Sequence, residues 1–142
     1  ALAECSGPLV VISADTAISM MAVNAKQELV GGVILPGPQL SLSALVKNTA
    51  QLPQIDLAAK APASILGKST SSCLQNGFVL GTASLLDGLA ERFCAELGPQ
   101  TAFYATGNLP IPIREACCTP ILYRETLITD GLYRIWMKNK KG

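Results

Sequence analysis

The stretch "LVVISADTAISMMAVNAKQELVGGVILPGP", Leu9 to Pro38, constrains the fold more than any other. It holds three apolar, β-branched runs: Leu9 to Ile12, Ile18 to Val23 and Leu29 to Leu35. The polar segments between them are too short for the crossover that parallel neighbours need. The sheet therefore begins as an antiparallel meander. Gly31-Gly32 inside the third run marks a bulge or a close backbone approach. Pro36-Gly37-Pro38 stops that strand. The corner Asp15-Thr16-Ala17-Ile18-Ser19 raises the functional question, because such a turn is either a tight hairpin or a backbone cradle for phosphate.

Beyond Pro38 the pattern changes period. Leu40 to Leu52 carries Leu40, Leu42, Leu45, Val46 and Thr49 at helical spacing and ends at Pro53. An irregular connection is expected from Gln54 to Ala63. A long helix follows, capped by Ser69 or Ser71, with a break near Gly77 or Gly81. Leu86, Leu89, Phe93 and Leu97 share one face of it, and Gly98 is its stop. Thr101 to Thr106 reads as a strand, and Pro110 and Pro112 as marking a loop. Leu127 to Met137 reads as a last helix with a solvated basic end, Lys138 to Lys141. The order is βββ-α-α-β-α, an α/β chain with a mixed sheet and helices packed on it. Residues 1–142 are expected to form one domain.

Composition narrows the partners. Apolar residues make up 49% and charged residues 15% of the chain, against roughly 25% charged in an average domain. That excess predicts a large covered surface. A net charge of +1 and few aromatics give no footprint for nucleic acid or an anionic membrane. No run reaches the roughly 18 apolar residues of a membrane helix. There is no histidine, and the five cysteines have no zinc-ligand spacing, so imidazole chemistry is excluded and a zinc site is not expected. The odd cysteine count fits a reduced cytoplasmic setting. Adjacent Cys117 and Cys118 are read as buried small residues rather than redox groups.

Three short segments could hold a phosphate: the Asp15–Ser19 corner, Gly67-Lys68-Ser69-Thr70 and Thr106-Gly107-Asn108. The second is not a Walker loop, because Pro62 stands where that motif needs glycine. Taken together and in order, the segments carry more. "GGVILPG", "LGKST", "LQNGFVLGTASLLDGL", "ATGN" and "LITDGL" follow Thr16-Ala17 with gaps that resemble the C-terminal half of type III pantothenate kinases. These belong to the acetate kinase, sugar kinase and actin superfamily. The resemblance implies the ribonuclease H-like half of an actin-like kinase fold. It also implies transfer of the ATP γ-phosphoryl group to pantothenate, the first step of coenzyme A synthesis.

Residue by residue, the resemblance places Thr16 and Gly107 on the ATP side and Thr70 on the pantothenate side. It implies Mg2+ with ATP, a monovalent cation such as potassium or ammonium, and a dimer. The cation-binding aspartate of the family falls on Ser13, and a glycine falls on Asp15, which could supply a displaced carboxylate. A carboxylate there repels a polyphosphate. Asn108 and Ser69 replace a glycine and an asparagine. The family's N-terminal phosphate loop and its catalytic aspartate have no counterpart in the chain, so an N-terminal half is expected in cis or as a second chain. The alternative is a non-catalytic, pseudokinase-like subunit that completes a dimer and lends pantothenate-pocket residues.

Overall fold

β1 (Leu9–Ala14) and β2 (Ala17–Val23) pair antiparallel from Leu9↔Val23 to Ala14↔Ile18, leaving only Asp15 and Thr16 to turn the chain. The computed structural model describes residues 1, 2 and 4–140; Lys141 of the expected basic end lies outside them. β3 (Leu29–Pro36) continues the meander, with the register shifting between Ala22 and Val23 opposite Gly31. That is the bulge the paired glycines announced. The turn before β3 is fastened by Asn24, whose Oδ1 accepts the Lys26 and Glu28 N–H groups at 2.9 and 3.0 Å.

The chain then makes α1 (Pro38–Lys47), α2 (Thr70–Leu97), β4 (Ala102–Gly107), α3 (Ile111–Ala116), β5 (Ile121–Tyr123) and α4 (Leu127–Lys140). The sheet order is β3-β2-β1-β4-β5, with β4 parallel to both β1 and β5. The mixed sheet was expected; α3 and β5 were not. Pro112, read as a loop marker, sits in the first turn of α3, where its missing N–H costs nothing. β5 has only three residues, too few to show a period.

Two helix boundaries also differ from expectation. α1 ends at Lys47 rather than near Leu52. Asn48 and Thr49 turn back on it, with Asn48 Nδ2 donating to the Ala44 carbonyl and Thr49 Oγ1 to the Leu45 carbonyl, at 2.8 and 2.9 Å. α2 runs unbroken through Gly77 and Gly81. Each glycine costs a helix about 1 kcal/mol, and the stripe Val79, Ala83, Leu86 and Ala90, buried in the main core, outweighs that. Ser69 is the cap: its Oγ accepts the Ser72 N–H, and Ser72 Oγ accepts the Ser69 N–H. Gly98 ends the helix at φ +113°.

The main core lies on one face of the sheet. Val10, Ile12, Ala14, Ile18, Met20, Phe103 and Ala105 meet Leu42 of α1, the α2 stripe and Ile113 of α3. The other face buries a smaller cluster, Leu9, Val23 and Tyr104, with Leu127 against them and Thr106 buried beside it. α4 has no buried residue, and Trp136 at its end is 53% exposed. Ile34 on the edge strand β3 is 76% exposed. Among the described residues no helix is long and apolar enough to cross a membrane.

Asp87 of α2 fastens the α3–β5 loop. Its two carboxylate oxygens accept the Cys118 and Thr119 N–H groups, each at 2.8 Å. Burial pushes this carboxyl up, but the hydrogen bonds from Cys118 and Thr119 together outweigh it and hold the pKa below 3.8. The adjacent cysteines correct the sequence reading. Cys118 is exposed and Cys117 half-buried. Burial, helped by the Asp87 carboxylate and Cys118, pushes the Cys117 thiol up to about 11, so it is no thiolate at neutral pH.

Two stability measurements check this account. In urea melts, Leu86→Ala should cost about 2–5 kcal/mol, whereas Gly77→Ala, whose added methyl meets no atom within 4 Å, should gain about 0.5–1 kcal/mol. Loss of stability in Gly77→Ala would mean that this face of α2 is covered. Asp87→Asn should cost about 1 kcal/mol at neutral pH. A carboxyl with a lowered folded pKa stabilises above its unfolded pKa and loses that contribution as pH falls through the folded value. The gap between wild type and Asp87→Asn should therefore close as the pH falls below the usual carboxylate range; a gap constant with pH would refute the assignment.

Candidate functional site

The Asp15-Thr16 turn is built by close backbone approach. Asp15 N–H donates to the Ala17 carbonyl at 2.9 Å, and Gly37 N–H donates to the Thr16 carbonyl at 2.8 Å. Gly37 is buried beneath the turn; a Cβ there would lie 2.3 Å from the Asp15 carbonyl oxygen. Glycine is thus required where α1 starts, and the start of α1 is seated against the hairpin.

β4 arrives on the other side. Its parallel register sets Gly107 beside Ala14. Asn108 N–H donates to the Ala14 carbonyl at 2.5 Å. Gly107 has φ +88°, and a Cβ there would lie 2.2 Å from the same carbonyl oxygen, so again only glycine fits. Asn108 Nδ2 donates to Asp15 Oδ1 at 3.2 Å and joins the two turns. Asp15, Thr16, Gln39, Ser43, Asn108 and Pro110 are among the residues lining a cavity of about 390 Å³. Small residues, backbone turns and a helix start suit an anion such as a nucleotide phosphate. Asp15 is the only carboxylate in its lining and works against that charge.

The expected site residues do not all meet here. Thr16 and Asp15 line the cavity; Gly107 is not in the lining, although its neighbour Asn108 is. Thr70 opens α2, exposed, directly after the Ser69 cap, and is not in the lining. Ser13 points to the opposite face of the sheet. It pairs with Ser19 and Thr106 and lines a second cavity, about 460 Å³, between that face and α4. Ser13 and Asp15 therefore line different cavities. No group of three His, Cys, Asp or Glu side chains comes together among the described residues. Gln39 and Ser43 of α1 were missed by sequence reasoning. The signal was there in Pro36-Gly37-Pro38, which brings a helix start back onto the hairpin.

The type III pantothenate kinase family profile matches residues 1–92. The chain belongs to the type III pantothenate kinase family. A type III pantothenate kinase of Koribacter versatilis is 38% identical over 143 residues, covering 100% of this chain and 51% of the relative. Another, from Solibacter usitatus, is 35% identical over 133 residues, covering 94% and 50%. The chain thus spans about half the length of the curated relatives it matches. A crystal structure of a Baf family protein from Campylobacter jejuni superposes with a TM-score of 0.66 at 20% identity, over 96% of this chain and 60% of that one. At that identity the likeness concerns the fold alone. It agrees with the mixed sheet of an actin-like kinase half.

Gly107→Ala should cost about 1–3 kcal/mol, from the strained φ and the clash with the Ala14 carbonyl. Chemical denaturation measures it. A neutral result would show that the β4 turn is looser than described.

Proposed function

We propose that this chain is the C-terminal half of a kinase that phosphorylates pantothenate with ATP, active with an N-terminal half supplied in cis or as a second chain. The observation that carries this reading is the meeting of the Asp15-Thr16 hairpin with the Gly107-Asn108 turn around one cavity, in a chain of this family. Thr16 and Gly107 form the ATP side, with the phosphates against the two turns, and Thr70 reaches pantothenate. Catalysis in such kinases is mostly positioning and charge stabilisation.

The base for the attacking hydroxyl belongs to the N-terminal half. Asp87 is committed to the α3–β5 loop, Asp130 accepts from Thr126 Oγ1 at 2.8 Å, and Asp56 accepts the Ala58 N–H at 2.9 Å. None of the three lines the hairpin cavity. We assign the exposed apolar side chains of α4, Ile128, Leu132, Tyr133, Ile135 and Trp136, to the contact with that half. Mg2+ enters with ATP. A monovalent cation, where the assembled enzyme uses one, is not shared by Ser13 and Asp15, which line different cavities. Assembly as a homo- or heterodimer in the cytoplasm accompanies this reading.

A second reading, a non-catalytic subunit that completes a dimer, is favoured by one feature. The Asp15 carboxylate, tied to Asn108, occupies the corner where a phosphate would lie.

The deciding experiment joins the chain to the N-terminal half of the Koribacter relative and assays ATP-dependent phosphorylation of pantothenate. Turnover is expected, with Thr70→Ala raising the KM for pantothenate about tenfold or more. Asp15→Gly should tighten ATP binding about tenfold by removing a like charge. Absence of turnover in both wild type and Asp15→Gly would favour the non-catalytic subunit. Unchanged pantothenate kinetics in Thr70→Ala would remove that residue from the pocket.

A further inference from the structure

The turn that closes the nucleotide side is held from a third direction, by β5. Tyr123 OH donates to the Gly107 carbonyl at 2.5 Å. That carbonyl and the Asn108 N–H belong to one planar peptide unit, and the Asn108 N–H donates to the Ala14 carbonyl on the far side. The unit is therefore pinned at both ends, by Tyr123 and by β1, and cannot rotate without breaking a hydrogen bond.

Tyr123 is itself held. The Arg114 guanidinium of α3 lies over its ring, 4.0 Å from the centroid. Arg114 Nε is buried and has no hydrogen-bond partner among the described residues. The guanidinium packs on the ring face. Tyr123 is placed in turn by the short β4–β5 pairing, Ala105↔Tyr123, which the Arg124 N–H extends by donating to the Ala105 carbonyl at 2.7 Å.

The consequence falls on Asn108. The plane of the pinned peptide sets the direction in which Asn108 leaves the turn, and its amide then reaches Asp15 across the cavity. We infer that Tyr123, steadied by Arg114, is a positioning residue for the nucleotide side of the site. It sets the Gly107-Asn108 peptide so that the Asn108 amide reaches the hairpin at Asp15. This inference rests on the reading of that cavity as the ATP side.

Tyr123→Phe keeps the ring and the stack and removes only the hydroxyl. Two readouts on the full chain joined to the N-terminal half test it. The first is amide hydrogen exchange, which needs no ligand. The Asn108 N–H should exchange at least about tenfold faster in Tyr123→Phe, with the hairpin amide of Asp15 little changed and melting nearly that of wild type. Unchanged exchange at Asn108 overturns the inference, whatever the chain binds. The second is the affinity for Mg-ATP, which should weaken about five- to tenfold, as for one lost hydrogen bond, with the KM for pantothenate unchanged. Arg114→Met, which keeps bulk but removes the cation, should shift both readouts in the same direction by less. Faster exchange with unchanged Mg-ATP affinity would make Tyr123 a folding contact only and overturn its positioning role. If wild type does not bind Mg-ATP but exchange still responds to Tyr123→Phe, the reading of the cavity fails while the pinned peptide stands.

Discussion

The carbonyl of Ala14 is the point on which the rest of the site depends. It ends β1, and the parallel pairing with β4 brings Gly107 directly beside it. A parallel pair can be joined only through a long crossover, here everything from β2 through α2. Residues far apart in the chain are therefore set together by strand register rather than by local turns. The β4 turn meets that carbonyl, and the start of α1 closes on the carbonyls of Asp15 and Thr16 just beyond it; both approaches admit only glycine. The burial of Val10, Ile12 and Ala14 against α2 fixes that register, because a slip of one residue would turn the apolar face of β1 outward. Core packing on one side of the sheet thus decides the geometry of the corner at its end.

Much of this was legible in the sequence, and the illegible parts have physical causes. The meander, the bulge at Gly31, the Ser69 cap and the Gly98 stop were all local signals written in a few residues. α3 was hidden because proline usually breaks helices and here opens one. β5 was hidden because a strand of three residues owes its pairing to its neighbour rather than to its own pattern. The break expected in α2 did not occur, since propensity yielded to a buried stripe. Motif resemblance singled out Thr16 and Gly107, and of these Thr16 lines the hairpin cavity. The outward turn of Ser13 and the distance of Thr70 from the hairpin cavity were not legible, for both follow from how the sheet and α2 are oriented in space.

The corner separates backbone shape from electrostatics. Glycines at positions 37 and 107 permit the close approach. A carboxylate at position 15 and an amide at position 108 are bonded to each other across the cavity. The backbone shape of a phosphate cradle and the sign of its field are independent properties. One is set by Cβ atoms that are absent, the other by side chains that are present. A phosphate arriving here would have to displace Asn108 from Asp15 or share the corner with it.

The last helix has a further meaning for how the molecule exists in solution. α4 lies over the thinner side of the sheet with no side chain buried, and its isoleucines, leucine, tyrosine and tryptophan face water. Apolar surface left in that state lowers the free energy of any species that covers it. The stability of this chain is therefore linked by mass action to the concentration of whatever binds α4. Where the half proposed to cover α4 is a second chain, the melting temperature rises with that chain's concentration; where it is joined in cis, it does not.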